Sequence, residues 1–315
     1  MVSSVGFVKF PATWNLGRVS WVAAGGAVVG LFVAALTLPG GNDLFLFYLP
    51  FAQGCLTCGY VPYFAAFTLW PLAFLPSGME WPFLVLASAL GWLGLCYALK
   101  VNPLVILLAF PMLGELWLGQ VDLVLAAGIV LALLSKNPYV RGVGIAMAAV
   151  KPQVTWLVIL ALLWRDTQWK KMLVAPMAMG LASLAVFGPT WPLEWLRSSG
   201  GLPVHTWRIA SMAIWPLGAT LVWLPFVIGD RRERIGLAAI VGSIATPFVG
   251  VYTYSIPLML GNYPWWVVLV SYVWLLARPF AGNFDMGFAW ILPVTLLVLR
   301  LTPIIRGLRR PPEIA

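Results

Sequence analysis

Asp43 follows the first long apolar run of the chain and is one of only ten acidic residues among 315. A carboxylate is costly to remove from water, so its position beside an apolar run favours chemistry, ion handling or a strong structural partner. Asp43 is therefore the candidate general base of this protein. It could instead cap the helix that begins after it, because Asp is preferred at that position, and the two roles can coexist.

Lys151 is the second residue of interest, because it lies inside an otherwise apolar stretch. An ionisable side chain within a membrane segment is a functional hypothesis by default, and a cation there could bind an anionic group. Two further candidates for anion binding are Arg208 and His205, which precede a later apolar run. The structural alternatives are an ion pair or a snorkelling side chain for Lys151, and interfacial anchoring for Arg208 and His205.

Three polar residues, Glu115, Gln120 and Asp122, interrupt another apolar stretch. Glu115 and Asp122 are seven residues apart and would share one face of a continuous helix. Together with Gln120 they could bind acceptor hydroxyl groups, hold a divalent cation or simply pair with Lys151. Two carboxylates without a histidine or a third acid are too few for a recognisable metal motif, so we predict no metal and no other cofactor.

The composition indicates an integral-membrane protein built of helices. Hydrophobic residues make up 62% of the chain, charged residues 9%, and the mean hydropathy is +0.93. The apolar runs have about the 17 to 25 residues that cross the hydrocarbon core, and they lack the alternation of a membrane β-barrel. The net charge of +9 lies in short connectors, as in topology signals, which argues against a nucleic-acid partner. We predict an all-α polytopic bundle that forms one domain over residues 1–315.

The distribution of Lys and Arg predicts the orientation of the chain. The first apolar run resembles an uncleaved anchor, with the amino terminus in the cytoplasm. The connector at about residues 39–62 carries Asp43 and contains no Lys or Arg, so we place it on the outer face. A second outer loop, interfacial and rich in Trp and Pro, is predicted at about residues 188–207. The basic connectors predicted to lie inside are residues 136–141, 165–171 and 231–234.

Three apolar stretches are interrupted, which predicts broken helices; one of them, Ile235 to Ala277, is interrupted at Thr246-Pro247 and Gly261-Asn262. The stretch from Gly142 to Trp164 has basic residues on both flanks, which one span cannot place on the same side. Two half-helices hinged at Lys151-Pro152 would satisfy both flanks, because proline disrupts the helical hydrogen-bond ladder. The stretch from Pro103 to Leu134 is interrupted near Gly119. We therefore predict about nine to eleven membrane segments, several of them short.

Cys55 and Cys58 lie in the predicted outer loop, within the sequence Cys-Leu-Thr-Cys. In an oxidising compartment this spacing favours a small turn closed by a disulfide. Two free thiols are the alternative.

The order of these residues resembles glycosyltransferase family 87, a family of integral-membrane enzymes of the GT-C type. The resemblance covers residues 15 to 175 well and the remainder loosely. This chain has Asp122 where the family usually has Asn. The segments that carry the resemblance are, in order, Asp43, Tyr48, Gly59-Tyr60, Pro62-Tyr63, Gly119-Gln120-Val121-Asp122, Val150-Lys151-Pro152 and Trp164-Arg165.

The resemblance implies that a sugar such as mannose is moved, with inversion, from a polyprenyl-phosphate donor to a lipid or glycan acceptor. Asp43 would then be the general base, and Lys151, Arg208 and His205 would bind the donor phosphate. The implied location is the outer face of a bacterial plasma membrane, within the cell envelope. Donor, acceptor and membrane lipids are the expected partners, and nucleic acid is not. The candidates for substrate binding are Tyr48, Gln120, Glu115, Asp122, Tyr252 and Tyr254.

Two other function classes fit part of the pattern. A transporter or lipid flippase would also carry broken helices and buried charges, although this chain shows no internal repeat and its key acid is predicted at the membrane surface. A noncatalytic assembly subunit could retain the same fold without activity.

Overall fold

The computed structural model describes residues 18–199, 214, 217–246, 249–276 and 289–308. Every regular element in these ranges is a helix, in agreement with the predicted all-α class. The α-helices are α1 (Arg18–Thr37), α2 (Leu49–Ala52), α3 (Ala66–Leu69), α4 (Glu80–Leu99), α5 (Pro103–Leu108), α6 (Phe110–Leu118), α7 (Asp122–Leu134), α8 (Pro138–Ala148), α9 (Pro152–Leu163), α10 (Trp169–Met172), α11 (Val174–Phe187), α12 (Trp191–Ser199), α13 (Leu217–Thr220), α14 (Leu224–Val227), α15 (Arg231–Ala245), α16 (Ser255–Met259), α17 (Trp266–Val270) and α18 (Ile291–Leu308). Tighter or wider helical turns occur at Leu44–Tyr48, Tyr63–Ala65, Trp70–Phe74 and Val251–Tyr254.

Three helical stretches in the described part of the chain are long and apolar enough to cross a membrane: Ser20–Thr37, Glu80–Leu99 and Trp169–Phe187. At 1.5 Å per residue, the 20 residues of α4 extend about 30 Å, the thickness of the hydrocarbon core. Shorter apolar helices accompany them, including α7 and α9. The predicted number of nine to eleven membrane segments stays a prediction.

α1 and α4 run antiparallel and define the two ends of the bundle. The ring of Trp21, near the start of α1, lies 5.9 Å from that of Tyr97, near the end of α4. At the opposite end, Gly40 and Gly41 pack so closely against Trp81 that any side chain on either glycine would collide with the indole. We call this second end the Asp43 end and the first the basic end.

The basic end collects the predicted basic connectors. Arg141 and Arg231 both donate to the carbonyl oxygen of Ala132, in the last turn of α7, and Arg232 donates to that of Leu99. Arg141 also forms an ion pair with Asp166. The last carbonyls of a helix lack partners within it and carry partial negative charge, so guanidinium groups are favourable there. The three connectors therefore meet at one end, as the sequence predicted.

The predicted helix break at Lys151-Pro152 is confirmed. α8 ends at Ala148 and α9 begins at Pro152, while Lys151 itself has a non-helical backbone with φ −125° and ψ 79°. Proline suits the first position of a helix, because its missing N–H is not needed there and its φ is already helical. The two half-helices have 11 and 12 residues, so each spans little more than half of a 30 Å core.

The interruption near Gly119 is also present, and it has a clear cause. Gly119 has φ 72°, a left-handed conformation that ends α6 and lets the chain turn into α7. Glu115 and Asp122 consequently lie on two different helices, so they do not share the face that one continuous helix would have given them. A further break, which was not predicted, separates α5 from α6 at Ala109.

The connector at residues 39–62, predicted to lie outside, is partly helical. Asp43 precedes the helical turn Leu44–Tyr48 but makes no capping hydrogen bond, so the structure gives no support to the capping role. Cys55 and Cys58 form a disulfide, which decides between the two alternatives for this pair.

The second predicted outer loop, at residues 188–207, is not a simple loop. It contains α12, which places Trp191 and Trp195 four residues apart on one face of a helix. Trp191 is buried, and Trp195 donates to the carbonyl oxygen of Tyr60. Beyond Ser199 this loop lies outside the described residues.

Candidate functional site

Backbone contacts bring Asp43 and Gln120 together. The N–H of Gly41 donates to the carbonyl oxygen of Trp117 at 2.8 Å, which joins the start of the first connector to the end of α6. A side chain at Gly119 would collide with Leu44, so the α6–α7 turn needs glycine for space as well as for its φ. Asp43 and Gln120, the residues beside this contact, face each other as a result.

The Asp43 carboxylate lies at the partly exposed rim of the site. One oxygen accepts a short hydrogen bond from the Gln120 side-chain amide, and the other accepts a long one of 3.5 Å from Asn42. Burial raises the pKa of the Asp43 carboxyl above its ordinary value, and the positive charge of Lys151 opposes this rise. A carboxylate with a raised pKa and an accessible oxygen is a stronger base than an ordinary surface aspartate.

Gln120 connects this rim to a buried cation. Its side-chain carbonyl oxygen accepts from Lys151 at 2.6 Å and from the Tyr48 hydroxyl at 2.7 Å. A flipped amide would turn its NH₂ group towards the Lys151 ammonium, so the partners fix which atom faces Asp43. The amide must therefore present its N–H to the Asp43 carboxylate.

Lys151 is almost fully buried, with 1% of its surface exposed. Its ammonium group is 2.5 Å from one oxygen of Asp122 and 5.3 Å from the ring centroids of both Tyr48 and Tyr252. Asp122 is the first residue of α7, where the helix dipole favours a negative charge. The predicted structural pairing of Lys151 with an acid is thus present, and Asp122 is the partner.

Asp122 has unused hydrogen-bonding capacity. The second oxygen of its carboxylate is buried and has no hydrogen-bond partner among the described residues. Glu115, by contrast, is satisfied: Trp92 donates to one of its oxygens at 3.0 Å and Ser255 to the other at 2.8 Å. The two buried acids therefore differ in hydrogen bonding: both oxygens of Glu115 have a partner, and only one oxygen of Asp122 has one among the described residues.

The polar side chains form one group that extends from the rim into the bundle. A side chain at Gly91, the twelfth residue of the twenty in α4, would collide with Leu123, the residue after Asp122. The neighbouring Trp92 bonds to Glu115. These contacts place the acids beside the middle of a membrane-length helix. We call Asp43, Tyr48, Glu115, Gln120, Asp122, Lys151 and Tyr252 the polar cluster.

Three members of the site were missed as candidates. The hydroxyl of Tyr60 lies 2.5 Å from that of Tyr48 and 3.5 Å from the Gln120 oxygen. Trp92 and Ser255 were missed because nothing near them in the sequence marks them as polar partners of Glu115. Tyr60 could have been found, since it lies in the same cation-free connector as Asp43.

The remaining candidates lie elsewhere. Tyr254 is fully buried, and its hydroxyl has no hydrogen-bond partner among the described residues. Arg208 and His205 lie outside the described residues. Within the described ranges, no three His, Cys, Asp or Glu side chains form a group that could hold a metal ion.

Comparisons with known proteins add no identification. No protein-family model matches the chain, and no curated protein or solved structure matches it. The polar cluster and the helices around it are therefore the basis for assigning a function.

Proposed function

We propose that this protein is an integral-membrane glycosyltransferase of the GT-C type, similar to family 87, which transfers a sugar from a polyprenyl-phosphate donor to a hydroxyl of a lipid or glycan acceptor. The observation that carries the proposal is the Asp43 carboxylate, partly exposed at the rim and oriented by Gln120. The proposed location is the plasma membrane, with the Asp43 end facing outside.

In the proposed reaction, Asp43 accepts the proton of the acceptor hydroxyl as that oxygen bonds to C1 of the sugar. The bond between C1 and the phosphate oxygen breaks at the same time, and its electron pair leaves with the polyprenyl phosphate. Attack from the face opposite the phosphate inverts the configuration at C1. General-base assistance of this kind contributes about 10²- to 10⁴-fold to a rate.

The leaving phosphate requires positive charge or hydrogen-bond donors. In the structure, Lys151 already contacts Gln120 and Asp122, which supports a role as counter-ion within the cluster. An ammonium group has three N–H donors, and the described residues supply two acceptors for them, Gln120 and Asp122, so we assign the third donor to a phosphate oxygen. Arg208 and His205 are the other candidates for this role, on the evidence of the sequence.

The substitution Asp43→Asn tests the proposal, because it preserves the shape of the side chain and removes its basicity. Turnover with a polyprenyl-phosphate sugar donor should fall by about two orders of magnitude or more, with little change in donor binding. Gln53→Ala supplies a control that should retain most of the activity, because Gln53 is exposed in the same connector and is not part of the polar cluster.

The pH dependence is a second readout of the same assignment. A general base must be deprotonated, so the rate of the unchanged protein should fall as the pH drops through the pKa of Asp43. Since that pKa is raised, the acid limb should lie above the pH range of an ordinary aspartate. Near-normal turnover of the Asp43→Asn variant would show that Asp43 is not the base. The same conclusion would follow if the rate of this variant still fell at low pH as the rate of the unchanged protein does.

A transporter or flippase is the second candidate function, and one observation favours it. Transporters have their substrate or ion sites near the middle of the bilayer, beside broken helices. The polar cluster has a similar position, because Lys151, Asp122 and Glu115 lie beside the middle of α4 and next to broken helices. Purified protein in liposomes separates the two candidates. Movement of a lipid-linked sugar across the bilayer without formation of a glycoside would favour transport, and neither activity would favour the noncatalytic subunit.

A further inference from the structure

A groove of about 710 Å³ lies at the basic end, which is the end of the bundle opposite Asp43. Its walls are mainly apolar and come from the last turn of α9 and from α14. Leu160 and Leu163 line one side, and the rings of Trp164 and Phe226 meet at a centroid distance of 5.1 Å. An apolar surface of this kind fits hydrocarbon better than a soluble polar ligand.

Arg165 lines this groove and Lys170 lies beside it, and each cation is over a tryptophan ring of the lining. The Arg165 guanidinium is 6.0 Å from the ring centroid of Trp164, and the Lys170 ammonium is 5.8 Å from that of Trp169. Both cations are exposed. Tryptophan beside Lys or Arg is typical of the boundary between hydrocarbon and head groups, where an amphiphile has its charged part.

Positive charge is in excess behind the rim. Asp166, the carboxylate that lines the groove, is paired with Arg141. Arg231 and Arg234 bond to backbone carbonyl groups, and Nε of Arg231 is buried without a hydrogen-bond partner in the described part of the chain. The local field therefore favours an anion at the mouth of an apolar groove.

We propose that this groove binds an anionic glycerophospholipid of the leaflet at the basic end. The acyl chain would lie along Leu160, Leu163 and Phe226, and the phosphate would lie between Arg165 and Lys170. The apolar walls make a lipid, and not a free phosphate, the source of the anion. This inference rests on the proposed membrane location and is independent of sugar transfer.

The test uses a double variant, Arg165→Asn with Lys170→Gln. Arg165 has φ 57°, and Asn tolerates this left-handed conformation, so the change removes charge without backbone strain. Lys171→Gln is the matched control, because Lys171 is an exposed cation of the same helix, whereas Lys170 is the one that lies over the Trp169 ring of the groove. Binding is measured on full-length protein in detergent, as the rise in unfolding temperature during titration with phosphatidylglycerol or with phosphatidylcholine of the same chains.

Phosphatidylglycerol should stabilise the unchanged protein and the Lys171→Gln control more than phosphatidylcholine does. The double variant should bind phosphatidylglycerol about tenfold more weakly, or worse, since it removes both cations placed near the head group. Phe226→Ala leaves every charge in place and should also weaken binding, which provides a second test if the double variant folds poorly.

Three results would overturn the proposal. Equal stabilisation of the unchanged protein by the two lipids would show that the charge is not recognised. Unchanged binding to the double variant or to Phe226→Ala would place the lipid elsewhere. An equal effect of soluble glycerophosphate would make the site one for free anions. Sugar transfer is not a readout in any arm, so failure here leaves the assignment of Asp43 untouched.

Discussion

Lys151 shows how a buried charge is tolerated and how it can still serve function. Removing an ammonium group from water costs several kcal/mol, and here that cost is offset by Asp122, by Gln120 and by the faces of two tyrosine rings. The same contacts hold Gln120 in the orientation that Asp43 requires. Charge balance in the interior and the position of the candidate base are therefore linked through one amide.

Lys151→Met should destabilise the protein, because it leaves the Asp122 carboxylate buried and unpaired. Loss of one partner of a buried pair costs about 3 to 5 kcal/mol, whereas loss of both is much less harmful. Unfolding in detergent should therefore show a large loss for Lys151→Met and recovery of most of it when Asp122→Asn is added.

The opposite pattern would assign Lys151 to the donor instead. A Lys151→Met protein that keeps its stability but loses affinity for the polyprenyl-phosphate donor would make the ammonium group a phosphate ligand. In the protein that carries both Lys151→Met and Asp122→Asn, the Gln120 oxygen would keep Tyr48 as a partner but lose the cation. The activity of this double variant therefore shows whether the cation itself is needed.

Among the helices and connectors, the features that could be predicted from the sequence are those set by residues close together in the chain. The break at Lys151-Pro152 could be predicted because a proline and two flanking basic connectors mark it within a short stretch. It could likewise be predicted that the cation-free connector, which carries Asp43, lies at the end opposite the basic connectors. Both signals act through the backbone or the charge of neighbouring residues.

The contacts that could not be predicted join residues far apart in the chain. Glu115 meets Trp92, 23 residues away, and Ser255, 140 residues away. Such pairs are set by how whole helices pack, and a single sequence carries no periodic signal for them. The sequence does not predict the helix α12, because its Trp and Pro residues are also typical of an interfacial loop.

The crossing of α7 and α8 sets the distance between Asp122 and Lys151, and two glycines allow it. A side chain at Gly128 would collide with the backbone of Gly144, and the reverse is also true. Small residues at such a crossing let helix backbones approach closely. Gly144→Leu should therefore separate the helices and destabilise the bundle by a few kcal/mol.

A matched control exists on α1, where Gly26 has open space around its Cα. Gly26→Leu should cost far less stability in the same unfolding measurement. If Gly144→Leu were as stable as Gly26→Leu, the close crossing would not be present in the folded protein.

The two ends of the whole molecule differ in charge, and this difference predicts which end faces outside the cell. The described helices place Arg141, Arg231 and Arg232 at one end and the cation-free connector at the other. Positively charged connectors stay on the cytoplasmic side. The Asp43 end should therefore face outside, which is also the side that would let a disulfide persist in the connector.

Single cysteines test this orientation in a background where the free, buried Cys96 is replaced by Ala and the Cys55–Cys58 disulfide is kept. Gln53 and Lys136 are both exposed, one at each end. A membrane-impermeant maleimide added to intact cells should label Gln53→Cys and should reach Lys136→Cys only after permeabilisation. Lys170→Cys, near the proposed lipid groove, should behave as Lys136→Cys does. Labelling of Lys136→Cys in intact cells, with Gln53→Cys protected, would invert the protein and place Asp43 and any acceptor on the cytoplasmic side.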